Sequence, residues 1–330
     1  MTTTFRAFRI RNDAPGYRAA LEEMRTDELT PGEVFVKVAY SSVNYKDALA
    51  GTGKGKILRK FPLNGGIDVA GYVVESSDPA FKEGDQVLCT GCGLSETRDG
   101  GFAEYARLES KWTIPLPAGL TLRESMALGT AGFTAALALF QMIRNGQTPE
   151  MGPVVVTGAT GGVGSFAIDI LTRAGFEAHA ITGKVDHFDY LQALGAQQCI
   201  ARTELYWGQR PLETAHWAGA IDNVGGDMLA GLSRVIKPYG NLAICGNAGG
   251  IELATTVMPF IIRGVSLLGV ASAGTARAIR DRVWEHLAGD WKPAHLDRIA
   301  TREIALDELP GVFATMLEGG SLGRTVVRVG

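Results

Sequence analysis

Cysteine, histidine and charge of one sign are all scarce in this chain, and each scarcity excludes a class of protein. Four cysteines in 330 residues do not make a disulfide scaffold. The five histidines show no metal-ligand spacing, so we interpret them as surface or helix-end residues. A formal net charge of −3 gives no reason to expect nucleic acid or an anionic membrane surface as a partner. The N-terminus lacks the apolar core of a signal peptide, and no apolar run is expected to cross a membrane. We therefore expect a cytoplasmic globular protein with no nucleic-acid or membrane partner.

The segment Val154–Ala167 carries the most informative pattern of residues. A short β-branched run ends at a glycine cluster, and a helix-compatible apolar run follows from about Gly164. Within it, Gly162-Val-Gly-Ser-Phe-Ala fits the G-x-G-x-x-G/A dinucleotide fingerprint. Such a turn can be purely structural, but glycines let a backbone approach a pyrophosphate, and a helix N-terminus offers unpaired N–H groups. The predicted contacts at this turn are Thr160, Gly161, Gly162 and Val163.

The end of the next predicted strand, Glu177–Ile181, indicates which nucleotide is bound. An NAD-binding protein places an Asp or Glu about twenty residues after the fingerprint, where it contacts the ribose 2′-hydroxyl. This chain has Thr182, Gly183 and Lys184 there, so no carboxylate repels a 2′-phosphate. Lys184 could be an ordinary solvated lysine. Its position favours NADP(H) over NAD(H).

The chain divides into two regions that differ in sequence pattern. Up to about Thr121 it is rich in strands and turns, which predicts an antiparallel barrel or sandwich. A capping box at Thr121–Glu124 then opens a helix that reaches Ile143. From Val154 to about Gly246 strands and helices alternate, as in a doubly wound parallel sheet. A helix near Thr275–Leu287 precedes a last strand, Gly323–Val329, which is expected to return to the N-terminal domain.

The individual strands and helices follow from apolar runs and their punctuation. Predicted strands are Glu33–Tyr40, Ile67–Val74, Asp85–Cys89, Ala196–Ala201, Ala218–Val224 and Asn241–Gly246, and predicted helices are His187–Leu194 and Asp227–Ile236.

Five motifs, taken with this order of domains, resemble the medium-chain dehydrogenase/reductase superfamily over essentially the whole chain. They are Ser42–Ala50, Gly51–Ile57, Gly66–Gly71, Gly129–Ala135 and Thr255–Arg263. Together they are similar to the acrylyl-CoA reductase subfamily, among the zinc-independent, quinone-oxidoreductase-like members. The resemblance implies an α/β fold: a doubly wound parallel Rossmann sheet plus a β-rich, GroES-like barrel domain.

The resemblance also implies a function for each domain and an activity for the protein. Residues 1–121 and about 295–330 would form the catalytic domain, and residues 122–294 the NADP(H)-binding domain. The implied reaction is the NADPH-dependent reduction of the C=C bond of acryloyl-CoA, a CoA thioester, to propanoyl-CoA by hydride transfer to the β-carbon. A homodimer is the usual arrangement in the family.

The motifs depart from those of the zinc alcohol dehydrogenases. Where those enzymes have a metal-site Cys and a His-Glu pair, this chain has Asn44-Tyr45-Lys46-Asp47 and Gly66-Ile67-Asp68, so no metal is expected. Cys89 and Cys92 have C-x-x-C spacing, but tetrahedral zinc needs a second pair. We interpret them as structural thiols first, a redox pair second and a metal site last. Cys199 and Cys245 lie in predicted core strands and are expected to be buried and inert.

Asn44 and Tyr45 are the predicted catalytic residues, because the resemblance places them beside the nicotinamide. Either could donate to the enolate oxygen that forms during reduction, and Tyr45 could instead contact the nicotinamide ribose or protonate the α-carbon through water. The alternative is a strand-end turn with the tyrosine ring buried. Asp47 is expected to cap a turn or helix, and Asp222 to anchor a loop.

Further cofactor contacts are implied by the resemblance. These are Thr130 on the nicotinamide side, Arg202 at the adenosine phosphate end, Asn247 and Ser272 at strand ends, and Arg324, which would reach back to the cofactor. The basic run Lys54–Lys60 could hold the phosphates of coenzyme A, although short basic loops are usually just solvated.

Two alternative functions stay open. A quinone or α,β-unsaturated carbonyl reductase would share the fold and the cofactor site. A protein without turnover could bind NADPH and sense redox state, with Cys89 and Cys92 as its responding thiols.

Overall fold

The structure is a computed structural model that describes residues 2–14 and 16–330. The chain forms two compact units. The first unit comprises the described part of residues 1–130 together with Ala273–Arg282 and Leu296–Gly330, and the second comprises Ala131–Ser272 and Val283–His295. The assignment of catalysis to one unit and nucleotide binding to the other stays a prediction.

A seven-stranded sheet organises the first unit. Its strands are β3 (Val34–Ser42), β5 (Asp68–Ser76), β6 (Gln86–Thr90), β7 (Tyr105–Leu108), β8 (Ile114–Pro115), β15 (Arg302–Ile304) and β16 (Thr325–Arg328). They run in the order β15-β16-β3-β5-β6-β8, and β7 also pairs with β3. All the pairs are antiparallel except β15 with β16. Since Val326 pairs with Ser42, the prediction that the last strand returns to the N-terminal domain is confirmed.

A smaller antiparallel sheet completes the strands of this unit. It contains β1 (Thr4–Asp13), β2 (Gly16–Arg25) and β4 (Leu63–Asn64), in the order β2-β1-β4. The helices α1 (Tyr45–Thr52), α8 (Leu296–Ile299) and α9 (Leu309–Leu317) belong to the same unit. Phe8 is central to the core, with its ring edge-on to Phe313 at 5.7 Å and to Phe102 at 6.5 Å between centroids.

A six-stranded parallel sheet forms the second unit. Its strands are β9 (Val154–Thr157), β10 (Ala178–Thr182), β11 (Ala196–Ala201), β12 (Trp217–Asp222), β13 (Ile236–Ile244) and β14 (Ser266–Gly269). The order β11-β10-β9-β12-β13-β14 is that of a doubly wound nucleotide-binding sheet, as predicted. The helices α3 (Gly162–Arg173), α4 (Phe188–Ala193), α5 (Gly226–Val235) and α6 (Met258–Arg263) alternate with these strands or follow them. In α/β sheets of this kind, ligands bind at the carboxyl ends of the strands.

The helix α2 (Leu122–Arg144) begins with the predicted capping box, because the backbone N–H of Glu124 donates to Thr121 Oγ1 and that of Thr121 to Glu124 Oε2. It is interrupted at Gly129, where φ is 50° and ψ is −154°. Within residues 2–14 and 16–330, α2 alone is long and apolar enough to span a membrane, and 78% of that window is buried. The helix α7 (Arg277–Ala288), like α2, includes residues of both units.

Candidate active site

The glycine turn after β9 has the form that a dinucleotide site requires. α3 begins at Gly162, with Gly161 as its N-cap, so the predicted start at about Gly164 was two residues late. A Cβ on Gly164 would lie 2.4 Å from the backbone oxygen of Gly158, so only glycine allows the helix to pack this closely on the turn. The first turn of α3 therefore presents its N–H groups at a helix N-terminus, where an anion binds readily.

The predicted 2′-phosphate residues come together at the ends of β10 and β11. The hydroxyl of Thr182 is buried, accepts the Lys184 backbone N–H at 3.0 Å and lies 3.3 Å from the Thr160 hydroxyl. A Cβ on Gly183 would lie 3.3 Å from Arg202 Nη2, so the guanidinium crosses directly over this glycine. Lys184 is half-buried, and burial lowers the pKa of its ammonium group. This partial burial favours the predicted phosphate contact over an ordinary solvated lysine, and the contact stays a prediction.

Two loops approach each other closely at the carboxyl ends of β12 and β13. Asp222 is buried and accepts hydrogen bonds from the Thr157 hydroxyl at 2.5 Å and the Gly225 N–H at 2.8 Å. It anchors the loop, as predicted. A Cβ on Gly246 would lie 2.5 Å from the backbone oxygen of Asn223, so the two loops touch through their backbones. The exposed Asn247 follows directly, at the edge of the sheet where ligands bind.

Ser272 and Asn247 complete the predicted contacts of the second unit. Ser272 is half-buried and begins a short 3₁₀ turn that follows β14. Both residues lie beyond the carboxyl ends of neighbouring strands, since β13 pairs with β14. Their contact with a cofactor stays a prediction.

Tyr45 is the first residue of α1 and is 55% exposed. The alternative that its ring is buried in a strand-end turn is therefore wrong. Asp47 caps the helix as expected, since its Oδ2 accepts the Asn44 backbone N–H at 2.8 Å. Its Oδ1 accepts the Ile67 N–H at 3.0 Å and ties α1 to the start of β5. The phenol is thus displayed on the surface of the first unit by a helix whose start is held rigidly.

Asn44, by contrast, makes hydrogen bonds through both the nitrogen and the oxygen of its side-chain amide. Its Nδ2 donates to Asp68 Oδ2 at 2.8 Å and to Asp47 Oδ2 at 3.1 Å, while its Oδ1 accepts from Arg324 Nη1 at 3.0 Å. These contacts occupy both amide hydrogens. The geometry does not support the prediction that Asn44 donates to an enolate, and it makes Asn44 a positioning residue for the start of α1.

Asp68 joins this arrangement from β5 and is fully buried. Its carboxylate accepts hydrogen bonds from the Ser42 hydroxyl at 2.6 Å and from the Thr130 hydroxyl at 2.6 Å and N–H at 3.0 Å. A Cβ on Gly129 would lie 2.6 Å from Asp68 Oδ2, and its positive φ also favours glycine. Gly129 therefore lets the backbone of α2 approach the carboxylate, and the Thr130 hydroxyl, a predicted nicotinamide contact, donates to Asp68.

Arg324 supplies the positive charge. It is 5% exposed and donates to the Val43 carbonyl and the Ser42 hydroxyl, each at 2.7 Å, with Nη2 3.8 Å from Asp68 Oδ2. Burial lowers the pKa of its guanidinium, and the nearby carboxylates of Asp68 and Asp47 oppose this shift. We call Ser42, Asn44, Asp47, Asp68, Thr130 and Arg324 the Asp68 cluster.

Asp47 is the less strongly paired of the two acids in the Asp68 cluster. Burial, followed by repulsion from Asp68, raises the pKa of Asp47 to about 7. Asp47 and Asp68 were not predicted as catalytic or cofactor-binding residues, and Ser42 was not singled out. No local pattern could have linked these residues, because the strand pairing of β3, β5 and β16 and the start of α2 bring them together.

The side chains do not fit a metal. Among residues 2–14 and 16–330, no group of three or more His, Cys, Asp or Glu side chains is arranged to hold a metal ion. The two carboxylates of the Asp68 cluster are already occupied by hydrogen bonds to the protein.

The burial of His179, Cys199 and Cys245 differs from what the sequence predicted. His179 is not at the surface: it is buried in β10, where its Nδ1 accepts from Trp217 Nε1 at 3.1 Å. Cys199 and Cys245 are half-buried rather than fully buried. Burial raises the pKa of both thiols, which agrees with the expectation that they are inert.

Comparison with known proteins agrees with this architecture. Residues 30–118 match the model of the alcohol dehydrogenase GroES-like domain, and residues 162–288 match that of the zinc-binding dehydrogenases. The chain is 46% identical over 313 residues to the acrylyl-CoA reductase AcuI of Ruegeria pomeroyi, covering 94% of each chain. The chain belongs to the medium-chain dehydrogenase/reductase superfamily. The predicted family and fold class, including the GroES-like domain, are confirmed.

Two other members of the superfamily are similar over the full length. YhfP of Bacillus subtilis, named provisionally as a quinone oxidoreductase, is 44% identical over 330 residues, 100% of each chain. Its crystal structure with NAD bound has a TM-score of 0.95 at 99% coverage of each chain. The yhdH oxidoreductase of Salmonella enterica in complex with NADP is 42% identical and has a TM-score of 0.94, covering 100% of each chain.

Proposed function

We propose that the protein is an NADPH-dependent oxidoreductase that reduces the C=C bond of acryloyl-CoA to propanoyl-CoA without a metal ion. The observation that carries the cofactor choice is the Arg202 guanidinium lying over Gly183, beside the half-buried Lys184. Lys184 follows β10 and Arg202 follows β11, and no carboxylate stands at residues 182–184, which suits a 2′-phosphate. The relationship to AcuI, itself named an acrylyl-CoA reductase, supports the choice of substrate.

In this proposal, NADPH would supply a hydride to the β-carbon of the substrate, and a proton from solvent would complete the reduction at the α-carbon. Negative charge then develops on the thioester oxygen, and a hydrogen-bond donor held in place beforehand stabilises it. Tyr45 is the proposed donor, because its phenol is exposed while the helix that carries it is fixed by Asp47. The predicted nucleotide contacts of the second unit, from Thr160 to Ser272, keep their roles as part of the proposal, whereas the side chains of Thr130 and Arg324 are already engaged within the Asp68 cluster.

A quinone or α,β-unsaturated carbonyl reductase is the second candidate, favoured by the full-length similarity to YhfP. The two activities are separated by kcat/KM for acryloyl-CoA, methyl vinyl ketone and a benzoquinone, each with saturating NADPH. We expect acryloyl-CoA to have the highest value. A higher value for the ketone or quinone would replace the proposed substrate, and tight NADPH binding without turnover of any of them would favour the redox sensor.

The basic run Lys54–Lys60 is the proposed contact for the CoA phosphates, because Lys54 and Lys56 follow α1 and are exposed. Replacing either with alanine should raise the KM for acryloyl-CoA and leave the KM for methyl vinyl ketone, which has no phosphate, unchanged. Lys111→Ala, another exposed lysine of the same unit, is the control. An unchanged KM for acryloyl-CoA in both variants would discard this contact.

A homodimer in the cytoplasm is also part of the proposal. Three exposed apolar side chains on or next to α6, in the second unit, support a contact with a second copy: Val257 (64% exposed), Ile261 (68%) and Ile262 (61%). Light scattering should give the mass of a dimer for the native protein and of a monomer for Ile261→Asp. A native monomer would contradict this part of the proposal.

A further inference from the structure

Cys89 lies in β6 and Cys92 lies in the turn that follows it, outside the proposed reaction. Cys89 is 2% exposed and belongs to the apolar core of the first unit, whereas Cys92 is half-buried and packs against that core. The Cys92 thiol donates to the Thr90 carbonyl at 3.5 Å, and both cysteines are free. The Cys92 side chain is thus partly accessible to a small solute, whereas that of Cys89 is buried.

The backbone turns sharply between the two cysteines. Cys92 has a φ of 52°, which is uncommon for a residue with a side chain, and glycines flank it on both sides. The turn is held at two points, since the Gly91 N–H donates to the Ile67 carbonyl at 2.7 Å and the Cys92 N–H to the Ala273 carbonyl at 3.1 Å. A non-glycine residue in this conformation marks a site for which the surrounding structure maintains an unfavourable backbone.

A buried cation stands beside this turn. Arg280 is fully buried, and its Nη1 donates to the Thr90 carbonyl at 2.9 Å and to the Thr90 hydroxyl at 3.0 Å. The Cys89 thiol and then the Arg280 charge lower the pKa of Cys92, against burial and the Glu109 carboxylate. The neighbouring Cys92 and then burial raise the pKa of Cys89. Cys92 therefore has the environment of a nucleophilic thiolate, and Cys89 that of a protonated partner.

We propose that Cys89 and Cys92 are a redox-active dithiol that hydrogen peroxide converts to an intramolecular disulfide. The Cys92 thiolate attacks a peroxide oxygen, which breaks the O–O bond and gives a sulfenic acid and one water. The Cys89 sulfur then attacks the Cys92 sulfur, and the sulfenic hydroxyl leaves as a second water. Two thiols are oxidised and one hydrogen peroxide is reduced; a dithiol reductant reverses the change.

Formation of the disulfide would affect the Asp68 cluster. Thr90 pairs with Asp68 and Cys89 with Val69 across the β5–β6 ladder. Ile67, which accepts the Gly91 N–H, donates its own N–H to Asp47. A change in the turn from Gly91 to Gly93 therefore reaches the carboxylate that caps α1 through two hydrogen bonds.

Peptide mapping after treatment with hydrogen peroxide tests the proposal. Both cysteines fall in one tryptic peptide, between Lys82 and Arg98, which should become lighter by two hydrogen atoms and recover its mass with dithiothreitol. Cys199 and Cys245 should still be alkylated, and Cys92 of the untreated protein should react with iodoacetamide about tenfold or more faster than they do. Oxidation of Cys199 or Cys245 before the pair would overturn the proposal.

Single variants separate the two proposed roles. Cys89→Ser removes the resolving sulfur, so a sulfenic acid at Cys92 should accumulate and be trapped by dimedone. Cys92→Ser should leave Cys89 unlabelled and unoxidised at the same peroxide dose. The double variant Cys199→Ser/Cys245→Ser should form the disulfide at the native rate. Absence of the dimedone adduct from a folded Cys89→Ser protein, checked by circular dichroism, would also overturn the proposal.

Discussion

In the first unit the polar residues near the site contact one another, whereas in the second they lie at the exposed ends of the strands. Asp68 and Arg324 of the Asp68 cluster are at most 5% exposed and hydrogen-bond to the protein. Arg202 and Asn247 are exposed, and Gly183 lies under the Arg202 guanidinium. The first arrangement is held by hydrogen bonds within the protein, whereas Arg202 and Asn247 are exposed at the edge of the sheet where we propose that the nucleotide binds.

This difference separates two kinds of contribution from charged residues. A buried cluster contributes to folding, because removing one member leaves another charge buried and uncompensated. An exposed cation contributes little to folding and much to the binding of an anion. Substitutions in the Asp68 cluster should therefore change stability, and substitutions at the strand ends of the second unit should change affinity for the nucleotide.

The largest effect is expected from Arg324→Ala, which leaves two acids buried without their cation. We expect the free energy of unfolding in urea to fall by about 3–5 kcal/mol. Arg302→Ala, at an exposed position on β15, should change it by less than about 0.5 kcal/mol. Equal losses in the two variants would mean that the Asp68 cluster does not stabilise the first unit.

Tyr45→Phe should have the next largest effect, and on catalysis rather than on folding. Loss of one donor to a developing oxyanion lowers kcat by about 10²–10³-fold. Because the ring is exposed, the unfolding free energy should stay within about 0.5 kcal/mol of the native value. Tyr72→Phe, another exposed tyrosine of the first unit, serves as the control in single-turnover measurements with acryloyl-CoA. A native kcat in Tyr45→Phe would remove Tyr45 from the mechanism.

Arg202→Ala and Lys184→Ala should act on nucleotide affinity alone. Each removes a charge-assisted contact to the 2′-phosphate, so the Kd for NADPH should rise by about 10–100-fold, while that for NADH stays the same. Arg173→Ala, at the opposite end of α3, is the matched control. Titration calorimetry measures all four proteins with both nucleotides. Equal weakening of NADPH and NADH would show that neither cation contacts the 2′-phosphate.

Asp47→Asn should have the smallest effect, on the pH dependence of stability. The unfolded carboxyl loses its proton near pH 3.8 and the folded one near pH 7, so the folded state holds the extra proton between these values. Native stability should therefore fall as pH rises through this window, by at most about 1.4 kcal/mol per pH unit from this group. Urea unfolding at pH 5, 6 and 7 should give a shallower decline for Asp47→Asn. Parallel declines would show that Asp47 is ionised throughout.

Much of the second unit was predictable, because its elements are local and its pattern repeats. β11 was predicted to the residue, and α5 to within one residue at each end. The start of α3 was missed because a glycine-rich helix turn has the same composition as a loop. His179 was placed at the surface because its partner, Trp217, lies on another strand.

The first unit was predictable in outline and not in its chemistry. The last strand pairs where expected, but the long strands β1 and β2 were not located individually, since their outward faces are polar and charged. Asn44 was assigned as a donor from its type and position. Its actual partners, Asp68 and Arg324, are distant in sequence, and no local pattern specifies a hydrogen bond between such residues.

The most direct test is the oxidation of NADPH by acryloyl-CoA, with NADH in a parallel cuvette and the protein treated with a chelator beforehand. The account predicts rapid loss of nicotinamide absorbance with NADPH and a much slower loss with NADH, unchanged by the chelator. No oxidation of NADPH, despite binding demonstrated by calorimetry, would contradict the proposed reaction. Equal rates with NADPH and NADH would contradict the phosphate site formed by Lys184 and Arg202.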